Sequence, residues 1–541
     1  MQPVFPKTHC TVSVQFPRYC AVALFVALAA FILITFRQYG ISNDEEVQRI
    51  YGQLLLRYYQ SGLTDPGAFH YKNLFLYGGL FDLIAAGLEQ GLPHDNIWDL
   101  RHLLSAVFGL AGFAGVWLLA HRLAGAWAAL FASLLLLVTG AWTGAMFTHT
   151  KDVPFATAMI WTLYFMTRLL PDLPKPRQKD VTGFGLALGC AFGLRVGAVF
   201  AVFYFAVSLL FTAWAREHNW RTRSLFLLQA MKHCLPALLI ACVLTAFFWP
   251  WVIQSPFNLF TAITTFSKFS FEIDTILDGN IMRNGAVPGT YMIHYLIVRL
   301  PELFLFALAL SLFTGIRTLP ALYRDHDTRL QALPWSPVLL AAAFPIFYTL
   351  TAAPPLYNGI RHFTFLLPPL AVLGGAGIAS SLRVIEKHSA LHLLMLSACI
   401  LALTFHVVTL LRLHPYEYVA YNMLTGGIAG TTGRWEQDYW AATTREAASL
   451  LNHYIAAENA HPDTPYKVAV CAEPIQAASW LSSQFTVTRD WKSADFFIAP
   501  TQMNCDKSLK GTPIIEIMRD NTVLGLVRDR RHLTGQDRIP Q

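Results

Sequence analysis

Apolar runs long enough to cross a bilayer recur from residue 19 to residue 411, and nothing else limits this chain's fold so strongly. A hydrocarbon core of about 30 Å needs roughly 20 apolar residues per helix. About eleven such runs can be marked, near 19–36, 102–120, 126–147, 153–170, 181–194, 196–214, 235–252, 301–319, 336–352, 362–380 and 392–411. The fifth and sixth come from one long apolar stretch that Arg195 divides into a short span and a return. Across 541 residues the chain is 55% hydrophobic and only 13% charged, too apolar for a soluble protein of this size. The reading is an α-helical polytopic membrane protein.

Basic residues in short loops favour the cytoplasmic side. Arg122, the group Arg168, Lys175, Arg177 and Lys179, the group Arg216, Arg221, Arg223 and Lys232, then Arg317, Arg324 and Arg329, and finally Arg383 and Lys387 all fall on one side. That side also holds the N-terminus, with Lys7 and Arg18, so the first span reads as a retained signal anchor. The external segments 37–101 and 253–300 and everything after residue 411 then face the exterior or periplasm, as expected of an inner-membrane protein. The net charge of +7 belongs largely to the basic loops and is no nucleic-acid signal.

The chain divides into a membrane part, 1–411, and an exported part, 412–541. In the first external segment, Val47, Ile50, Tyr51, Leu54, Leu55 and Tyr58 line one face of a helix expected to lie along the membrane interface. Ser42 and Glu45 form a capping box at its start. The second external segment carries Phe257, Phe260, Phe266, Phe269 and Phe271, with Gly279, Gly285 and Gly289 near its end, and reads as an interfacial loop, partly mobile at the glycines. After residue 411 a helical stretch, Thr444 to Tyr454, precedes the strand-like run Tyr466–Val470, the apolar Phe496-Phe497-Ile498, and a hairpin of 514–518 with 523–527 through Asp520-Asn521. This is a small exported α/β domain. Cys471 and Cys505 are its only two cysteines, so a disulfide there turns on geometry. The chain has no Cys-x-x-Cys, no metal-ligand spacing and no phosphate-cradling Gly-rich loop.

Two polar clusters follow odd-numbered spans and therefore share the exported side: Asn43-Asp44-Glu45-Glu46 and His149-Thr150-Lys151-Asp152. Asp44 and Glu45 can supply a general base for an acceptor hydroxyl, or ligands for a divalent cation. Their structural explanation is that acids suit the first turn of a helix, and the capping box accounts for Glu45 better than for Asp44. Asp152, just before Val153-Pro154, suits a helix N-cap, but that does not explain His149 and Lys151 beside it. A cation near a helix N-terminus makes an anion site. Arg195 and the pair Arg361-His362 are further basic groups at exported span ends. An arginine at the bilayer centre costs about 2.5–3.5 kcal/mol, so it tends to be paired or used there, although it can also snorkel to the interface.

These residues resemble those of the GT-C glycosyltransferases, and most closely family 39, the protein mannosyltransferase and aminoarabinose transferase group. The resemblance rests on Asn43-Asp44-Glu45-Glu46, on His149 to Phe155 and on Tyr357-Asn358-Gly359-Ile360-Arg361-His362, with their order and shared side. The polar stretch from Tyr416-Glu417-Tyr418 through Gly433-Arg434-Trp435-Glu436-Gln437-Asp438-Tyr439-Trp440 resembles the exported junction of some bacterial members. The resemblance implies transfer of a sugar from a polyprenyl-phosphate donor to a protein, lipid or glycan acceptor on the exported face. It implies Asp44 as base, Asp152 as its aid, and Lys151, Arg195 and Arg361 on the lipid phosphate, with His149 and His362 beside them. Neither cluster has the Asp-x-Asp of the metal-dependent oligosaccharyltransferases, so no cofactor is assigned and no metal ligands are named; a divalent metal remains the second use of the carboxylates. The competing reading is a secondary transporter or lipid flippase, which should carry ionisable groups or broken helices near mid-membrane, not at one end. A purely structural membrane protein leaves both clusters unexplained. For Asp44 and Asp152 to serve one sugar, they must lie within about 15 Å of each other.

Overall fold

A computed structural model describes residues 15–94, 96–267, 272–458 and 464–539. Lys7, Phe269 and Phe271 lie outside that set. The membrane part consists of α1 (Phe16–Thr35), α2 (Glu45–Gln60), α3 (Leu80–Gly91), α4 (Ile97–Ala124), α5 (Ala126–Leu137), α6 (Gly140–Thr143), α7 (Ala145–Thr148), α8 (Asp152–Leu169), α9 (Gln178–Phe192), α10 (Val199–Arg216), α11 (Trp220–Phe248), α12 (Asn258–Ser267), α13 (Tyr291–Arg299), α14 (Glu302–Arg324), α15 (His326–Ala332), α16 (Ser336–Ala352), α17 (Leu367–Val384) and α18 (Ser389–Leu413). Among the described residues nine helical spans are long and apolar enough to cross a membrane, or ten if one bent pair counts as a span. The chain is thus a polytopic helical membrane protein with fewer full-length spans than the eleven expected.

The difference has two local causes. The run 126–147 is not straight: α5 and the α6–α7 pair meet at 76°. At that bend, a Cβ on Gly140 would meet the Glu417 carbonyl at 2.1 Å and one on Gly144 the Tyr418 nitrogen at 2.3 Å, so glycines let the segment after α18 press against the broken helix. The second cause is α9, which is only 15 residues long because the chain leaves helical geometry at Arg195, an extended residue. A further departure is α11, which begins at Trp220, so Arg221, Arg223 and Lys232 ride on the helix and not in a loop.

Each external segment departs from expectation in one respect, the first in burial and the second in order, although Phe257 and Phe260 are exposed as an interfacial loop requires. The apolar face of α2 is covered by protein: Tyr51 and Leu55 are buried and pack with Ala68, Leu74 and Leu83. The second segment is ordered into α12, a hairpin of β1 (Asp274–Leu277) and β2 (Asn280–Arg283), and α13. Its turn, Asp278-Gly279, takes positive φ at both residues, as a two-residue hairpin of this hand requires.

After α18 an irregular linker leads to α19 (Thr444–Ala457), β3 (Tyr466–Val470), α20 (Ile475–Ala478), β4 (Phe485–Val487), β5 (Phe496–Pro500), β6 (Thr512–Arg519) and β7 (Thr522–Asp529). The strands form one mixed sheet in the order β4-β3-β5-β7-β6. β3 runs parallel to β4 and to the central β5, and β7 pairs antiparallel with β5 and β6. The hairpin through Asp520-Asn521 forms as expected, whereas β4 carries too few residues to stand out in sequence. Cys471 and Cys505 are joined, with Cα atoms 6.3 Å apart. This domain docks on the membrane part through Gln476, whose amide donates to the Ile41 and Trp440 carbonyls at 2.5 and 2.8 Å, and through Arg445, which donates to the Tyr39 carbonyl at 2.8 Å.

The bundle closes around α17, the most deeply buried of the spans. Lipid offers no hydrophobic drive between helices, so close packing of small residues must supply the attraction. A Cβ on Gly375 of α17 would lie 2.4 Å from the Ala128 carbonyl and 2.5 Å from the Ala132 nitrogen of α5. We therefore expect Gly375→Val to force α5 and α17 apart and cost about 2 kcal/mol or more, read as a lowered unfolding temperature of purified protein. An unchanged transition would mean that these helices are not in close contact.

Candidate active site

Asp44 and Asp152, one from each acidic cluster, escape their structural explanation. Asp44 precedes α2 in helical geometry without capping it. Asp152 is the first residue of α8 itself, and no side chain caps that helix at Lys151. The two carboxylates turn instead to arginines from distant parts of the chain. Arg361 Nη2 lies 2.8 Å from Asp44 Oδ2, and its Nε lies 3.7 Å from Asp152 Oδ2. Arg195 Nη2 is 2.5 Å from Asp152 Oδ1. One guanidinium within reach of both carboxylates puts them far inside the separation that joint work on one sugar allows.

The group sits at helix ends: Asp44 beyond α1, Asp152 at the start of α8, Arg195 beyond α9, and Arg361 before α17. Its members differ in access. The Asp44 side chain is 41% exposed, while those of Asp152 and Arg361 are 3% and 8% exposed, so only Asp44 can meet an incoming hydroxyl without rearrangement. Arg361 is also held over the Trp440 ring at 4.2 Å, with Tyr357 on its flank at 5.4 Å. Its Nε and that of Arg195 are buried without a hydrogen-bond partner among the described residues.

Lys151 is placed by a second buried charge group. Its Nζ lies 3.9 Å from Asp82 Oδ2 and 4.3 Å from the Tyr77 ring centre. Asp82 is in turn held by Arg101 at 3.2 Å, with both side chains fully buried. Burial lowers the Lys151 ammonium to about 8, against the pull of Asp82 and Asp44. His149 is different. Its Nε2 accepts from Trp440 Nε1 at 2.6 Å, and an indole nitrogen can only donate, so this imidazole nitrogen carries no proton. Burial, then the charge of Arg361, push its pKa down, consistent with a neutral ring. Tyr439 meets the same nitrogen at 2.9 Å. His149 thus orients two aromatic side chains of the linker. His362 stacks edge-on to Tyr357, and its Nδ1 is buried and unpartnered.

Glu45 does not join this group. Its carboxylate accepts from the Ser42 N–H at 2.7 Å, one half of the expected capping box, and pairs with His102 at 3.2 Å in full burial. The Ser42 hydroxyl goes elsewhere, to the Thr148 carbonyl. Among the described residues no group of three or more His, Cys, Asp or Glu side chains is arranged to hold a metal ion.

Several neighbours were not among the sequence candidates. Asp82 is a lone charge inside an apolar run, a signal readable from the cost of leaving it unpaired, whereas Arg101 lies among the polar residues Asp99 and His102 at the start of α4. Arg299 fixes the linker, donating to the carbonyls of Tyr418 at 2.8 Å and Glu436 at 2.9 Å and stacking on Tyr421. The carboxylate of Glu436 accepts from the Thr275 hydroxyl at 2.6 Å, from the Ile276 N–H at 3.3 Å and from Gln502. Thr275 meets the Tyr291 hydroxyl at 2.8 Å, and that oxygen accepts from the Gly359 N–H at 3.1 Å, two residues before Arg361.

Residues 85–252 match the family model described as dolichyl-phosphate-mannose-protein mannosyltransferase. The matched stretch holds His149, Lys151, Asp152 and Arg195 and leaves out Asp44 and Arg361. No curated relative matches the sequence. Among solved structures the chain is similar to ArnT from Cupriavidus metallidurans bound to undecaprenyl phosphate, at 17% identity and a TM-score of 0.46, over 94% of this chain and 97% of that one. It is also similar to the oligosaccharyltransferase AglB from Archaeoglobus fulgidus, at 11% identity and a TM-score of 0.48, over 90% and 70%. A third likeness, to the arabinofuranosyltransferase AftD from Mycobacteria, has 13% identity and a TM-score of 0.40, over 97% and 40%. Scores this low give no residue correspondence. The resemblance to family 39 read from the sequence is borne out on the matched stretch, and with it the reading of the chain as a membrane glycosyltransferase that draws on a lipid-phosphate donor.

Burial pushes the Glu436 carboxyl up to about 7, against the hydrogen bonds from Thr275 and Ile276 that favour its charge. The native state therefore holds this proton more tightly than the unfolded chain between about pH 4.5 and 7, so stability should fall as pH rises through that window and level off above it. Burial shifts Asp438 in the same direction. Unfolding temperatures measured across that range should slope downward in wild type, and Glu436→Gln should flatten the slope without abolishing it. An upward slope in wild type would contradict the assignment.

Proposed function

We propose that this protein transfers a sugar from a polyprenyl-phosphate donor to an acceptor hydroxyl on the exported face of the inner membrane, the N-terminus and basic loops being cytoplasmic and residues 412–541 forming the exported domain. The observation that carries the reading is Arg361, whose guanidinium pairs with Asp44 and Asp152 at once. Transfer from a lipid phosphate needs a base on one side of the anomeric carbon and cations around the leaving phosphate on the other. Asp44 is the exposed carboxylate and serves as the base. Asp152 holds Arg361 and Arg195 in place for the phosphate, with Lys151 beside them and the unpartnered His362 nitrogen at the rim. The neutral His149 and the buried Glu45 support the walls and take no part in the reaction.

The acceptor oxygen attacks C1 of the sugar while the bond from C1 to the phosphate oxygen breaks. The bonding pair leaves with the phosphate, and the acceptor proton passes to Asp44. Before the donor arrives, Asp44 is occupied by its ion pair with Arg361. An arriving phosphate competes for the same guanidinium. The donor thereby releases the base that its own transfer requires.

Reconstituted protein given radiolabelled polyprenyl-phosphate sugars should lose activity by about 10²-fold or more in Asp44→Asn. Arg361→Lys keeps one charge but cannot bridge two carboxylates, and should cost nearly as much. Undiminished transfer in both variants would sink the assignment of the site. Donor affinity should decline as pH rises through about 8, where Lys151 loses its proton, and Lys151→Arg should remove that alkaline limb. A limb that persists in Lys151→Arg would assign it to another group.

A further inference from the structure

A second cavity lies away from the charged group, where three separate parts of the chain meet. It encloses about 400 Å³ between the β1–β2 hairpin, the linker at Thr432 to Gln437 and the loop 501–507 of the small domain. That is within the roughly 300–1,000 Å³ of small-molecule sites. The loop enters it in an unusual conformation: Met503 and Asn504 both take positive φ, and the disulfide from Cys505 to Cys471 ties the loop to the end of β3. The cavity is built where strained backbone persists only because its surroundings hold it.

The chemistry of the lining is selective. Gln437, Gln502 and Asn504 bring carboxamides, and Thr432 and Thr501 bring hydroxyls. Asp506 and Lys507 contribute one charge of each sign, which favours no net charge in the ligand. Trp435 forms part of the wall, and its indole N–H is buried without a partner among the described residues. Amides and hydroxyls that both donate and accept, beside an aromatic ring, suit a ligand rich in hydroxyls with apolar faces. Part of the lining is already bonded within itself, Gln437 Nε2 donating to the Thr432 hydroxyl at 3.3 Å and Lys507 Nζ to Asn504 Oδ1 at 2.8 Å, and an anion would meet Asp506 as readily as Lys507.

We propose that this cleft binds a neutral saccharide, the glycan portion of the acceptor, which makes the acceptor of the transfer proposed above a glycan or glycan-bearing molecule. Linkage to the donor site is continuous. Gln502, in the cleft wall, bonds Glu436, and Glu436 leads through Thr275, Tyr291 and the Gly359 N–H toward Arg361. The linker itself runs from Gln437 in the cleft to Trp440 beneath the Arg361 guanidinium in three residues. An occupied cleft would thus sit beside the donor group without touching it.

The test uses the full-length protein in lipid nanodiscs. Its probes are an array of neutral oligosaccharides of gluco, manno, galacto and N-acetylhexosamine type, a matched array of anionic oligosaccharides and a library of unglycosylated peptides. We expect binding to members of the neutral array, and Asn504→Trp, which fills the cleft from an exposed loop position, to weaken it by about tenfold or more. Asn504→Ala should weaken it about threefold and guards against misfolding of the bulkier variant. With a bound glycan as acceptor, both variants should raise the acceptor KM and leave the donor KM and slow donor hydrolysis unchanged. Binding confined to anionic glycans or to peptides, or neutral binding that Asn504→Trp leaves intact, would overturn the proposal. Because glycan binding is read without donor, it can fail while transfer to another acceptor persists, or hold while Asp44→Asn proves harmless, so the two readings fall separately.

Discussion

A buried guanidinium must find carboxylates, and in this protein Arg361 finds two, on segments separated by more than a hundred residues in sequence. Much of the architecture at that end of the bundle follows from this one requirement. The loop after α1 must bring Asp44 inward, α8 must begin with Asp152 directed toward the centre, and the chain between α16 and α17 must turn so that Arg361 reaches both. Arg195 completes the arrangement from the end of α9, which stops short of a full span where Arg195 leaves helical geometry. Removing one member of such a set leaves the others charged and unpaired in a poorly solvated place, which costs far more than a surface ion pair is worth.

A second requirement is met by the linker. It carries buried acids, aromatics and many backbone groups with no regular ladder to satisfy them. Many find a specific partner: Arg299 for the Tyr418 and Glu436 carbonyls, Thr443 and the Ala442 N–H for Asp438, His149 for Trp440. Such a network rigidifies what would otherwise be a loop and makes it a wall. The small domain then secures the outer face through Gln476 and Arg445.

Hydropathy made the helices legible, because the price of an exposed peptide group in lipid leaves the chain few alternatives. Their count was less so: composition alone does not register the bend at Gly140 or the early end of α9, each set by what packs there. The four residues Asp44, Asp152, Arg195 and Arg361 were visible as charges at span ends, and Lys151 as their companion. Their pairing was not visible, since periodicity carries no information on which distant ends converge. The partner of His149, a donor-only indole 291 residues away, was not legible from local pattern either. Asp82 was overlooked inside an apolar run, where a lone charge needs a mate, and Arg101 among the polar residues at the start of α4. In the second segment Phe257 and Phe260 are exposed, in keeping with an interfacial face, but the order of the hairpin and of α13 around the glycines was not legible.

The position of Trp440 beneath Arg361 has a consequence for biosynthesis. A chain inserted from its N-terminus has Asp44 and Asp152 in place early, and Arg361 joins them once α17 enters the bundle. The aromatic floor under that guanidinium is made some eighty residues later and must still be pinned by the small domain. This charged end of the bundle is therefore finished only after the last helix has been inserted and the segment that follows has folded back upon it. A nascent or truncated chain holds its charges without the wall that aims them, so folding of the C-terminal domain is the step that completes the group.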